Sequence, residues 1–175
     1  GETKAAAEAI KKRVDAQKGG SCLILDEGDA DKITKWVTSV RRNLLRKEII
    51  LEPVHDRFRR NAWAEITLCE PILSLPKEER PRLVVKADRA ANRIDVTAKN
   101  VTSFSLLLND ELVDLDKEFT VYVNGKALNE KRTRSFYELR ELVLRRFDES
   151  YLFPATYETT VPKADADGKS GDAPK

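Results

Sequence analysis

The sequence predicts an α+β, mainly β chain: an antiparallel, immunoglobulin-like β-sandwich with helices at its N-terminus and one helix inserted late. Three observations predict it. Apolar spacing follows a helical period up to about residue 45 and a period of two beyond it. About seven short runs rich in β-branched and aromatic residues then follow, separated by turn residues. One later segment, Ser135–Phe147, returns to helical spacing.

The elements follow in order. Residues 2–18 are rich in Ala, Lys and Glu, with Ala6, Ile10 and Val14 spaced by four, and Gly19-Gly20 ends the helix they predict. The apolar run Ser21–Leu25 reads as a buried strand, and Asp26–Asp29 as a turn. Asp29 or Asp31 can cap a second helix, on which Ile33, Trp36, Val37, Val40 and Leu44 share a face. Strands are expected at Glu48–Leu51, Ala62–Leu68, Arg82–Lys86, Arg93–Thr97, Ser103–Leu108, Thr120–Val123 and Thr156–Val161.

Alternation sharpens two of these. Ala62, Ala64, Ile66 and Leu68 would share one face, with Trp63, Glu65 and Thr67 opposite; Ile94, Val96 and Ala98 would oppose Asp95 and Thr97. Asn124-Gly125 between apolar runs predicts a two-residue type I′ hairpin, which needs positive φ at both central residues. On Ser135–Phe147, Ser135 is the expected cap with Glu138 three residues on, and Phe136, Leu139, Leu142, Val143 and Phe147 form the apolar stripe. The organisation is therefore a helix–strand–helix lead-in over 1–45, a sandwich domain over 46–162, and a tail over 163–175. That tail has no large apolar residue and is expected to be disordered. There is no internal repeat.

Composition excludes several classes. Lys and Arg number 32 against 30 Asp and Glu, a net charge of +2, so no basic field of the nucleic-acid-binding kind surrounds the chain. No apolar run approaches the length of a membrane span and no signal-peptide core is present. The two cysteines, Cys22 and Cys69, and a single histidine cannot build a structural zinc site. The cysteines read as buried free thiols, the alternative being one disulfide in an exported protein.

No residue set forms an active site. The only histidine is His55, without a G-x-S-x-G elbow anywhere, and the adjacent Asp56 points elsewhere on an extended chain. Asp110, Glu111, Asp114 and Asp116 supply carboxylates for glycoside chemistry or calcium, but no companion motif selects two of them. A polar inter-strand connection with Leu112, Val113 and Leu115 tucked inward is the simpler reading. Trp63, Tyr122, Tyr137, Tyr151 and Tyr157 could form an aromatic platform for polysaccharide, although such residues more often belong to a core. The basic cluster Arg41, Arg42, Arg46, Lys47, Arg57, Arg59 and Arg60 is balanced by nearby acids and reads as a solvated face. No cofactor, metal or catalytic residue is therefore expected.

Residues 92–128 (NRIDVTAKNVTSFSLLLNDELVDLDKEFTVYVNGKAL), with RFRRNAW at Arg57–Trp63, resemble a further pattern. They are similar to the C-terminal β-domain of bacterial α/β-hydrolase-like peptidases and esterases, in which an N-x-I-x-V stretch, an L-V-D-L-D-K loop and a V-N-G-K hairpin follow the hydrolase domain. The resemblance covers about residues 30–160, and residues 2–45 look like the last helix–strand–helix of such a hydrolase. It implies an exported, periplasmic or extracellular protein whose partner is a parent hydrolase domain or another protein. In that family the catalytic histidine lies in the loop that is here Asp26–Asp31, which holds none, so no catalytic residue carries over.

Overall fold

A computed structural model describes residues 2–16, 24, 30–39, 43–146, 148 and 151–162. Its contacts divide the chain into two units, Gly1–Arg42 and Asn43–Lys175.

The first unit holds two helices, α1 (Glu2–Asp15) and α2 (Ala30–Ser39). On α2 the stripe predicted from spacing exists, but none of its residues is buried: Ile33, Trp36 and Val37 are 43%, 41% and 58% exposed. Val40, the Gly19-Gly20 stop, Asp29 and the expected strand over 21–25, Ile24 apart, lie outside the described residues. Ile24 itself is in no regular element. Leu44 is not on this helix face. It sits beyond the helix in an irregular stretch and joins the core of the second unit.

The second unit is built on two sheets. One has five strands: β1 (Glu48–Leu51), β4 (Arg82–Asp88), β5 (Arg93–Lys99), β7 (Phe119–Val123) and β8 (Lys126–Glu130), ordered β1-β4-β5-β7-β8. The other has four: β2 (Arg60–Asn61), β3 (Ala64–Leu68), β6 (Ser103–Leu108) and β9 (Ala155–Thr160), ordered β2-β3-β6-β9. Period-two burial on β4 (Leu83, Val85, Ala87), β5 (Ile94, Val96) and β7 (Phe119, Val121, Val123) feeds the same core as Phe104, Leu106 and Leu108 of β6. The chain passes from β5 to β6 in the other sheet and back to β7. That return makes β5 and β7 a parallel pair, Arg93 opposite Thr120 through Val96 opposite Val123, so the sheets are not wholly antiparallel as the sequence suggested.

Three further expectations are corrected. The run Ala62–Leu68 is not one strand: Ala62-Trp63 is a two-residue turn between β2 and β3, with Asn61 opposite Ala64. Ala62 takes φ 48° there, and its carbonyl accepts the Tyr151 hydroxyl. Trp63 then turns inward, fully buried, and its indole N–H donates to the Arg46 carbonyl at 2.8 Å. A bulge between Ile66 and Leu68 leaves Leu68 55% exposed, so it does not share the buried face of Ala64 and Ile66 as the alternation had it. The third correction concerns α3 (Phe136–Arg146). Ser135 caps it as expected, accepting from the Glu138 N–H at 3.2 Å. Phe136, however, is 80% exposed, while Leu139, Leu142 and Val143 are half-buried. Phe136 is the first residue of the helix, at the end of the stripe. Phe147 and the tail over 163–175 lie outside the described residues.

The Asn124-Gly125 hairpin is present. Val123 pairs with Lys126, and φ is 50° at Asn124 and 86° at Gly125.

Candidate functional site

The carboxylates of the acidic connection between β6 and β7 are the densest chemistry in the second unit. Leu112, Val113 and Leu115 are buried, Asp114 between them is partly buried, and Asp110, Glu111 and Asp116 on either side are exposed. Asn92, in the β4–β5 turn at φ 48°, holds this connection. Its amide group donates to the Asp114 and Glu118 carbonyls at 3.3 and 3.0 Å and accepts from the Asp114 N–H at 2.6 Å. A loop whose apolar residues are buried needs such partners for its backbone.

Three of the acids pair with cations, Arg134 and Arg89 from distant segments and Lys117 from the connection itself. The Arg134 guanidinium forks onto both oxygens of Asp110 at 2.9 and 2.7 Å and reaches Asp116 at 2.6 Å. Asp114 lies 3.2 Å from Lys117 and 3.6 Å from Arg89. The hydrogen bonds from Arg134 hold the Asp110 and Asp116 carboxyls below the usual carboxylate range, and Lys117 does the same for Asp114. Arg134 is in turn held strongly in its charged form. General acid catalysis needs a carboxyl whose affinity for the proton is raised; these are shifted the other way. Glu111 is exposed. Among the described residues, no group of three or more His, Cys, Asp or Glu converges to hold a metal ion.

His55 is a local structural residue. Its Nδ1 accepts from the Arg57 N–H at 3.1 Å, capping a single helical turn at Asp56–Phe58, and its ring meets Phe58 edge-on at 6.1 Å. Asp56 is bound to Arg59, whose hydrogen bond holds that carboxyl low. Cys69 is a buried free thiol pushed up by desolvation, the opposite of an activated nucleophile; Cys22 lies outside the described residues.

The aromatic platform does not assemble. Trp63, Tyr151 and Tyr157 are at most 2% exposed, and Tyr157 packs against Phe104 and Phe119. Tyr122 lies under the Arg93 guanidinium, and Tyr137 stands exposed on α3. Within the basic cluster, Arg59 pairs with Asp56 and Arg60 with Glu65, while Arg41 and Arg42 are not among the described residues.

Sequence reasoning missed Arg134, which lies 24 and 18 residues from its two partners. It also missed a groove lined by cations at the other end of β4. Near charge balance signals that pairs exist, but not which residues form them. Compared with protein-family models, curated proteins and solved structures, the chain matches none.

Proposed function

We propose that the chain is a non-catalytic accessory or interaction domain, similar to the β-domain that follows bacterial exported hydrolases and acting beside a hydrolase or another protein partner. The observation that carries this reading is the fate of the acidic connection: Asp110, Asp114 and Asp116 are all bound to cations, with their proton affinities lowered. The capping role of His55 and the buried thiol of Cys69 support it further. Within this reading the sandwich is of the immunoglobulin-like kind, supported by the passage from β5 to the opposite sheet and back to β7.

A panel of activated esters, peptides and aryl glycosides tests the proposal on the intact chain. The expected result is hydrolysis at the buffer rate for every substrate. Turnover that His55→Ala or Asp110→Asn abolishes, in variants that retain the wild-type melting temperature, overturns it.

A further inference from the structure

At the end of the five-stranded sheet where β1 finishes and β4 begins lies a groove of about 290 Å³. That is just below the range for drug-sized ligand sites, about 300–1,000 Å³. Its wall is the helical turn Lys77–Glu79, set between Pro76 and Pro81. Two backbone carbonyls of this turn are pinned from β5 and its end. Lys99 Nζ donates to the Glu78 carbonyl at 3.0 Å, and Asn100 Nδ2 donates to the Glu79 carbonyl at 2.8 Å. Prolines at both ends and two tethers hold the turn in one conformation, so presenting its side chains to a ligand costs little additional ordering.

Those side chains are unusually cationic for a nearly neutral chain. Lys77, Arg80, Arg82 and Lys99 line the groove with Glu52 and Glu78. Arg82 is taken by Glu52, which leaves three cations against the one carboxylate of Glu78. Among the described residues, neither Lys77 nor Arg80 has an ion-pair partner, and the Arg80 Nε, like those of the paired Arg59 and Arg132, is buried without a hydrogen-bond acceptor. Most other arginines of this unit are paired: Arg59, Arg60, Arg82, Arg89, Arg93, Arg132 and Arg134 each meet a carboxylate. A buried guanidinium nitrogen without an acceptor is costly, and an oxyanion in the groove would draw the head group round to satisfy it. Beside these cations, Pro53, Pro81 and the 60% exposed Val54 supply an apolar patch.

We propose that this groove binds a small ligand that carries an oxyanion, carboxylate or phosphate, on a short apolar body. The oxyanion lies between Arg80, Lys77 and Lys99, and the apolar body lies on Val54 and the two prolines. The site does not depend on whether the chain acts beside a hydrolase.

Titration of the intact 15N-labelled protein with inorganic phosphate, and separately with butanoate, tests it. Saturable shifts confined to Val54, Lys77, Arg80 and Lys99 are expected in at least one titration. Saturation by phosphate alone assigns a phosphate ligand. Saturation by butanoate with a shift at Val54 assigns a carboxylate with an apolar tail. Arg80→Gln and, separately, Lys99→Gln should each weaken the saturating probe at least tenfold, whereas Lys86→Gln, near the other end of β4, should leave it unchanged. Shifts that fail to saturate with either probe, or that survive in both groove variants, overturn the proposal.

Discussion

Replacing Asn124 by alanine and by glycine separates two contributions that this residue makes to the hairpin. The side chain bridges to the end of β5: Oδ1 accepts from the Ala98 N–H at 2.8 Å, and Nδ2 donates to the Ala98 carbonyl at 3.0 Å. The backbone meanwhile sits at φ 50°, a region that costs asparagine less than alanine. Asn124 is exposed, so each hydrogen bond belongs at the lower end of the usual range, about 0.5–1 kcal/mol. Asn124→Gly removes both bonds but keeps the backbone unstrained, and should cost about 1–2 kcal/mol. Asn124→Ala adds a left-handed penalty of about 1–2 kcal/mol for a residue with a Cβ, giving about 2–4 kcal/mol in all. Urea denaturation with an unchanged slope measures both. Equal losses for the two variants would refute the strain argument, and a loss below about 0.5 kcal/mol for alanine would refute the bridge as well.

Three further outcomes follow from the structure. Gly125→Val should cost about 1–3 kcal/mol through the positive φ, since a Cβ there meets no atom within 4 Å; a variant that melts like wild type would remove the turn from consideration. On α3, Leu142 is only half-buried against the core, so Leu142→Ala should cost about 1–2 kcal/mol rather than a full core value. Arg145, whose side chain is 79% exposed, should tolerate alanine within about 0.5 kcal/mol; chemical denaturation of the pair reads the difference, and equal losses would make α3 a surface element only. Asp110 and Asp116 have lowered proton affinities in the folded state, so their contribution is complete above the unfolded carboxylate value of about 4 and is lost as pH falls through the folded values. Arg134→Met should therefore flatten the acid limb of the stability–pH profile and move both carboxyl titrations upward by NMR, whereas unchanged titrations would mean that Arg134 does not hold them.

Local patterns in the sequence were legible where one physical cause dominated. Glu48–Leu51 and Ser103–Leu108 match β1 and β6 residue for residue, because apolar β-formers there are bounded by turn or charged residues. Asn124-Gly125 carries its own conformational signal. The break at Ala62-Trp63 carried none, since alanine is not a residue that advertises positive φ, and the buried Trp63 looked like a strand residue. The parallel β5–β7 pair is a long-range outcome of the chain crossing between sheets, which periodicity does not encode. The inward Leu112, Val113 and Leu115 were read from their apolar character alone. Their acidic neighbours were seen as candidates, but two of the cations that pair with them, Arg89 and Arg134, come from segments that spacing does not connect to them.

The two ends of the β4–β5 hairpin differ in a way that bears on where this unit binds anything. At the turn end, Asn92 and Arg89 join Arg134 and Lys117 in satisfying the acidic connection, so the carboxylates of Asp110, Asp114 and Asp116 are committed within the fold. At the opposite end, Arg82 faces Lys99 in register, and Lys77 and Arg80, beside the groove, have no carboxylate partner among the described residues. Seven-residue strands separate these ends by roughly 20 Å, more than the screening length of about 8 Å at physiological ionic strength. The two charge clusters are therefore electrically independent. A ligand attracted to the cationic end would not feel the acids, and Arg134→Met should leave binding in the groove untouched while it alters stability at low pH. Loss of groove binding in that variant would mean that the two ends communicate through the sheet itself, and the division of labour along β4 and β5 would have to be abandoned.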